Sequence, residues 1–289
     1  MTRIFTLIAT LLLAACAHVP STSTGEAGIR AMTFNIRLDI ESDGANAWPY
    51  RHAMVAALIR RQAPDLLGTQ EVLLHQKQYL EQALPGYTFV GVGRDDGAEG
   101  GEFSPLAWRS DRFEMLDSGT FWLSPTPDVP SKGWDAALPR IATWALLRDR
   151  RSGRTVRALN THFDHVGTAA RASAARMIAE WARQGDTPTV VMGDFNVPTG
   201  SEPYTVLATT AQSGLADARA ISRTPPYGPS GTFTGFDITA APEAPIDHVF
   251  VTGDFTVDAY AVVTQHREGR LPSDHYPVVV DLTPRPGGG

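Results

Sequence analysis

With 289 residues, 43% of them hydrophobic, the chain is long enough for one large core, and neither a long linker nor a charge run divides it. A formal net charge of -6, with only Lys77 and Lys132 as lysines, excludes the broad positive field that drives non-specific nucleic-acid binding. Phosphate recognition is therefore expected to fall to a few locally placed arginines, whose planar forks match phosphate oxygens.

In chain order, Arg3 and the apolar run IFTLIATLLLAA predict a signal peptide over residues 1–15, because the run is too short to span a bilayer comfortably. Leu13-Ala14-Ala15-Cys16 resembles a bacterial lipobox, in which Cys16 is lipidated and becomes the first mature residue. An ordinary signal peptide holding a cysteine is the alternative. Cys16 is the sole cysteine, so the exported domain has no disulfide and its stability rests on its core. Residues 16–28 are expected to be the lipidated cysteine and a flexible tether, residues 29–283 the folded domain, and 284–289 a disordered tail. The expected location is the cell envelope, at the outer membrane or periplasmic face, with membrane contact through the lipid anchor alone and a monomeric chain.

Apolar runs rich in β-formers then predict about ten strands, at 29–36, 65–70, 87–92, 105–108, 141–147, 155–162, 189–192, 246–251, 255–263 and 277–282. Helical patterns fall at 53–61, 76–84 and 169–183, with a short one after Ser201, where Ser201-Glu202 is expected to cap the turn. DRRSGRT at 149–155 predicts a hairpin turn. Hairpin-linked and helix-linked strands in one chain predict an α+β fold, with two mixed sheets packed face to face and helices on the outer faces, a four-layer α/β/β/α sandwich.

Strand after strand is associated with carboxylates, amides or imidazoles: Asn35, Glu71, His162 with Asp164, Asp194 with Asn196, Asp247 with His248, and Asp274 with His275. Any one of these alone is an ordinary turn or surface residue. Six together describe a rim of oxygen ligands and histidines, which is what metal-assisted hydrolysis requires. Carboxylates and amides without cysteine favour a hard cation, Mg²⁺ or alternatively Mn²⁺, with Glu71 and Asp274 as the leading ligands. No HExxH, CxxC, Gly-x-Ser-x-Gly or Walker pattern occurs, which removes the common zinc, nucleophilic-serine and P-loop routes.

MTFNIR, GTQEV, NTHFDHVG, VVMGDFNVPTGSEPY, IDHVFV and PSDHYPVVVDL resemble, in order and spacing, the motifs of the endonuclease/exonuclease/phosphatase superfamily with its deoxyribonuclease-I-like fold. The resemblance covers residues 29–282 and extends to an exported bacterial lipoprotein branch through the segments at 91–113, 119–147 and 160–178. It implies that Asn35, Glu71 and Asp274 form the metal site and that Asp194 orients and deprotonates the attacking water. Asn196 is then expected to hold a phosphate oxygen or the nucleophile, Asp247 to orient and charge His275, and His162 to contact the phosphate or protonate the leaving oxygen. His248 is expected to be structural or to support the site residues from behind. Arg37 replaces a second acid present in some members, which favours one metal and adds a potential phosphate contact. Arg94, Glu102, Arg109, Arg140 and Arg171 are substrate-binding candidates; the alternative for each arginine is surface pairing with the many aspartates.

The expected activity is hydrolysis of a phosphodiester or phosphomonoester of a small molecule, lipid head group or glycan, by in-line attack of an activated water. A Mg²⁺-dependent extracellular nuclease is the alternative, disfavoured by the scarcity of lysine. A binding lipoprotein that has lost activity is disfavoured by the intact polar set. The glycine-rich loop at 93–103 and the aromatic-proline stretch at 121–134, with Trp122 and Trp134, are the expected places for substrate selection.

Overall fold

The computed structural model describes residues 28–286. The signal peptide, Cys16 and most of the tether lie outside the described residues, as does the end of the tail at 287–289. Among the described residues no helix is long and apolar enough to cross a membrane.

Among the described residues twelve strands and five α-helices follow in order: β1 (Ile29–Asn35), α1 (His52–Gln62), β2 (Leu66–Gln70), α2 (Leu74–Ala83), β3 (Tyr87–Val90), β4 (Leu106–Arg109), β5 (Phe113–Trp122), β6 (Ile141–Asp149), β7 (Thr155–His162), α3 (Thr168–Ala182), β8 (Thr189–Asp194), α4 (Glu202–Ala208), α5 (Thr210–Ser213), β9 (Leu215–Asp217), β10 (Asp247–Thr252), β11 (Phe255–Val262) and β12 (Val278–Pro284). They form two six-stranded mixed sheets, ordered β11-β12-β1-β2-β4-β3 and β5-β6-β7-β8-β10-β9. Each sheet has a parallel pair near its centre, β1 with β2 and β7 with β8, flanked by antiparallel neighbours.

Period-two alternation sorts the side chains into layers. Ile29 and Ala31 of β1, Val156 and Ala158 of β7, Val190 and Met192 of β8, and Val249 and Val251 of β10 meet in one core between the sheets. The intervening residues face outward. Met32 and Phe34 pack on Val55, Leu58 and Ile59 of α1 and Leu80 of α2. Leu159, Val191 and Phe250 pack on Ala175 and Ile178 of α3 and Leu207 of α4. The result is the expected four-layer sandwich.

Two strands escape the sequence pattern. β5 is an edge strand with exposed or half-exposed residues over most of its length and a bulge between Met115 and Asp117, so it shows no clean alternation. β9, with three residues, is shorter than any periodic signal. Ser201 occupies the N-cap of α4, but its hydroxyl donates to Pro198 O at 2.8 Å rather than accepting from the helix, so the expected side-chain cap is absent.

Candidate active site

The inward-facing columns of the central strands begin apolar and end polar: Ala31-Thr33-Asn35 in β1, Ala158-Asn160-His162 in β7 and Val190-Met192-Asp194 in β8. Register then assembles a row. His162 lies opposite Asp194 across the parallel β7–β8 pair, and Asp247 lies opposite Asp194 on the antiparallel side. Residues level with one another on adjacent strands point to the same face, so His162, Asp194 and Asp247 stand side by side, all buried.

The facing sheet supplies the rest. Asn35 is level with Gln70 across β1–β2, which brings Glu71 next to Asn35; Asn35 Nδ2 donates to Glu71 Oε1 at 3.0 Å and to Asp194 Oδ2 at 2.9 Å, joining the two sheets. Asp274 and His275 precede β12, and Ser273 Oγ secures that approach by donating to Asn35 O at 2.7 Å. Arg37, Glu71 and Asn196, all just past strand ends, have φ of 59, 58 and 51°. Non-glycine residues in this region cost about 1 to 3 kcal/mol each and cluster where a site requires the bend. The buried guanidinium of Arg51 secures the floor, donating to the carbonyls of Arg37 (2.7 Å), Asn46 (2.8 Å) and Ile36.

Asp194 is the centre. Its Oδ1 accepts from Asn196 N at 2.9 Å, and its Oδ2 lies 3.6 Å from His162 Nε2 and 3.8 Å from His275 Nε2. Burial raises its proton affinity, as does the charge of Asp247, against the opposing pull of His275. Burial alone would strip the proton from His275. Asp247, which accepts from Nδ1 at 2.9 Å, together with Asp194 and Asp274, outweighs burial and raises the pKa. His162 differs: burial, then Arg140 and Arg94, hold its pKa well below the ordinary histidine value. The two imidazoles beside Asp194 thus carry different charges, a protonated His275 and a neutral His162.

These groups line a cavity of about 630 Å³, shared by Arg37, Asp43, Glu71, Glu102, Arg140, His162, His165, Asp194, Asn196 and His275 with an apolar edge of Leu138, Phe233 and Phe236. A family model for the endonuclease/exonuclease/phosphatase family matches residues 32–275, from β1 through His275. The chain belongs to that family. A solved family member from Bacteroides vulgatus is 41% identical, covering 89% of this chain and 99% of its own, with a TM-score of 0.84. A mannosyl-6-phosphatase of Bacteroides thetaiotaomicron is 38% identical over 88% of this chain and 99% of its own, with a TM-score of 0.82. A curated "uncharacterized protein" of Acanthamoeba polyphaga mimivirus is 26% identical over 159 residues, which is 52% of this chain and 59% of that protein's length. The activity class is accordingly that of a phosphoester hydrolase.

Two arrangements of this family member could hold a cation. Asp194, Asp247 and His275 offer ligand atoms within 4.8 Å of one another. There, however, Nδ1 of His275 and Oδ2 of Asp247 are already committed to each other at 2.9 Å. Glu71 and Asp274 fit better. Arg37 lies 3.7 Å from Glu71 Oε2 and 3.8 Å from Asp274 Oδ2, so the two carboxylates face a common point between the sheets. Burial raises the Asp274 pKa, with the charge of Glu71 adding to it, a penalty that a divalent cation relieves. Oxygen donors on one side of a solvent-reached cavity suit Mg²⁺ chemistry.

The candidate arginines divide. Arg140 lines the cavity, donating to Asp164 Oδ2 at 3.4 Å and meeting His165 Nδ1 at 2.9 Å. Arg94 stands behind the wall and grips both oxygens of Glu102, at 2.9 and 2.8 Å. Arg109 is outside the site: it pairs with Asp111 at 2.7 Å, and its backbone meets Asp65 at the opposite end of β2 from Glu71. Arg171 is likewise not in the cavity wall and donates to Asp164 O at 2.9 Å, bracing the loop before α3. Arg37, considered as a phosphate contact, is paired with Asp43 through two 2.9 Å bonds. His248 lies outside the cavity lining, with Nε2 against Val197 O at 2.9 Å among Phe195, Tyr204 and Phe250.

Neither expected tryptophan reaches the cavity. Trp122 is buried, donating from Nε1 to Arg94 O at 2.7 Å, and with Gly97 and Pro130 it lines a separate groove. Trp134 is exposed away from it. Sequence reasoning missed His165, Leu138, Phe233, Phe236 and Arg51. The GTFTGF stretch, two aromatics among glycines and threonines just before β10, is the signal that could have drawn attention to Phe233 and Phe236.

Proposed function

We propose that the protein is an exported, divalent-cation-dependent phosphoesterase acting on phosphomonoesters of small polar molecules, sugar phosphates first among them. The observation that carries this reading is the convergence of Asp194, His275 and His162 on one recess, with Glu71 and Asp274 alongside. Five acids line the cavity against two arginines, which disfavours a polyanionic strand, while a small substrate needs only local cations. The 38% identical mannosyl-6-phosphatase supports a sugar phosphate. Arg3, the apolar run and Cys16 support export and lipid anchoring.

Mg²⁺ or Mn²⁺, when bound by Glu71 and Asp274 with Asn35 beside them, supplies neutralisation of charge on the phosphate oxygens. Asp194 Oδ2, with its raised proton affinity, takes the proton of the attacking water, and Asn35 Nδ2 and Asn196 N hold the carboxylate for that transfer. His275, fixed by Asp247, presents a positive Nε2 to the phosphoryl group as charge develops. His162 Nε2 meets Asn196 Nδ2 at 3.1 Å and positions that amide at the phosphate recess.

The test is a screen of mannose 6-phosphate, p-nitrophenyl phosphate, bis-p-nitrophenyl phosphate, sphingomyelin and plasmid DNA with Mg²⁺ or Mn²⁺, with Asp194→Ala as control. The expected result is chelator-sensitive phosphomonoester turnover, reduced about 10²- to 10⁴-fold in the variant. Turnover that survives in Asp194→Ala overturns the assignment, and faster cleavage of DNA than of any monoester replaces it with a nuclease.

A further inference from the structure

One part of the cavity is not used by the phosphate chemistry. Glu102 lies in the wall beyond His162, with Oε2 4.0 Å from His162 Nδ1. Its carboxylate offers about four acceptor sites, and the two bonds from Arg94 occupy half of them. Two other residues of the cavity wall carry buried donors with no hydrogen-bond partner, Arg140 Nη1 and His162 Nδ1. A second phosphate does not suit this corner, because the carboxylate repels it. Two adjacent hydroxyls do, since each donates to a Glu102 oxygen and accepts from a neighbouring unpaired donor. The apolar edge formed by Leu138 and by Phe233, 49% exposed, offers a face for the carbon side of a ring.

We propose that Glu102 is the specificity-determining residue for the leaving group, recognising a vicinal diol of a sugar-like alcohol, with Arg94 as its positioning residue and Arg140 and His162 as donors. This deepens the phosphomonoesterase reading and rests on it. The alternative is that the Arg94–Glu102 pair only closes the loop at 93–103, where Arg94 N also donates to Glu102 O at 3.1 Å.

The experiment compares mannose 6-phosphate with tetrahydropyran-2-ylmethyl phosphate, which keeps ring and phosphate but lacks ring hydroxyls. The expected wild-type preference in kcat/KM is at least about 10- to 100-fold, the scale of a single hydrogen bond to a charged group. In Glu102→Gln, and in Arg94→Lys, which loses the forked grip, this ratio collapses toward unity while the thermal midpoint holds. Wild-type enzyme that does not distinguish the two substrates overturns the proposal without any variant, as does a Glu102→Gln enzyme that keeps the ratio. Wild-type enzyme inactive on both, and on p-nitrophenyl phosphate, overturns the phosphomonoesterase reading itself.

Discussion

Asp247 matters through His275. The carboxylate does not line the cavity, yet its 2.9 Å bond to Nδ1 is the shortest contact the imidazole makes to an acid, and it offsets the burial that favours neutral histidine. Asp247→Asn keeps the shape and removes the charge, so kcat is expected to fall by up to about 10⁴-fold with KM changing less, as for other carboxylate–histidine pairs. Steady-state kinetics on the preferred monoester checks this, and a loss below tenfold contradicts it. This pairing was expected from the resemblance of IDHVFV and PSDHYPVVVDL to the family's motifs. The exclusion of Arg109 was not: a surface arginine and a cavity arginine read alike until the strand's direction is known.

At the scale of elements, buried polar bonds tie the two sheets. Asn160 of β7 donates to Thr69 O at 2.8 Å and Pro105 O at 2.9 Å and accepts from Gln70 Nε2 at 2.6 Å. Gly68 of β2 makes room for it, since a Cβ there would come within 2.5 Å of Asn160 Oδ1. Asn160→Ala removes three buried hydrogen bonds, with Gln70 Nε2 keeping Thr33 Oγ1 and Pro105 O keeping Thr69 N, and is expected to cost about 2 to 4 kcal/mol, measured by denaturant unfolding. The loop before α3 depends on Asp164. Burial opposes its charge, but bonds from Gly167 N (2.7 Å), Val166 N (3.0 Å) and Ala137 N (3.1 Å), with Arg140, lower its pKa below the ordinary value. A depressed folded pKa stabilises above the unfolded value near 4 and loses that contribution as pH falls through the folded one. The stability gap between wild type and Asp164→Asn should therefore be full at pH 6 and shrink below about pH 4. Urea midpoints across pH 2 to 7 test this; a gap that grows on acidification contradicts it.

Across the whole molecule, acids of both sheets converge at one end of the sandwich. Folding takes Asp194, Asp247 and Asp274 out of water, with Glu71 partly exposed beside them, and a divalent cation that binds the folded form offsets that cost. At a hundredfold excess over its dissociation constant, Mg²⁺ is expected to raise Tm by about 5 °C, and Glu71→Gln to abolish most of the shift. Calorimetry with and without chelator decides it, and an equal shift in the variant contradicts the Glu71–Asp274 assignment.

By itself the sequence determined the layering and most of the polar set. Period-two alternation specifies which residues face the core, and a carboxylate or imidazole ending an inward column has only the rim to occupy. It also carried the motif order by which the family is legible. The tertiary structure alone decided which strand end meets which: register aligns His162, Asp194 and Asp247, and sheet packing brings Asn35 to Asp194. It likewise placed Arg140 in the cavity wall, Arg94 behind it and Arg109 at the far end. Those outcomes depend on strand order and direction, and neither is written in local periodicity, because the same alternating run serves either neighbour and either end of a sheet.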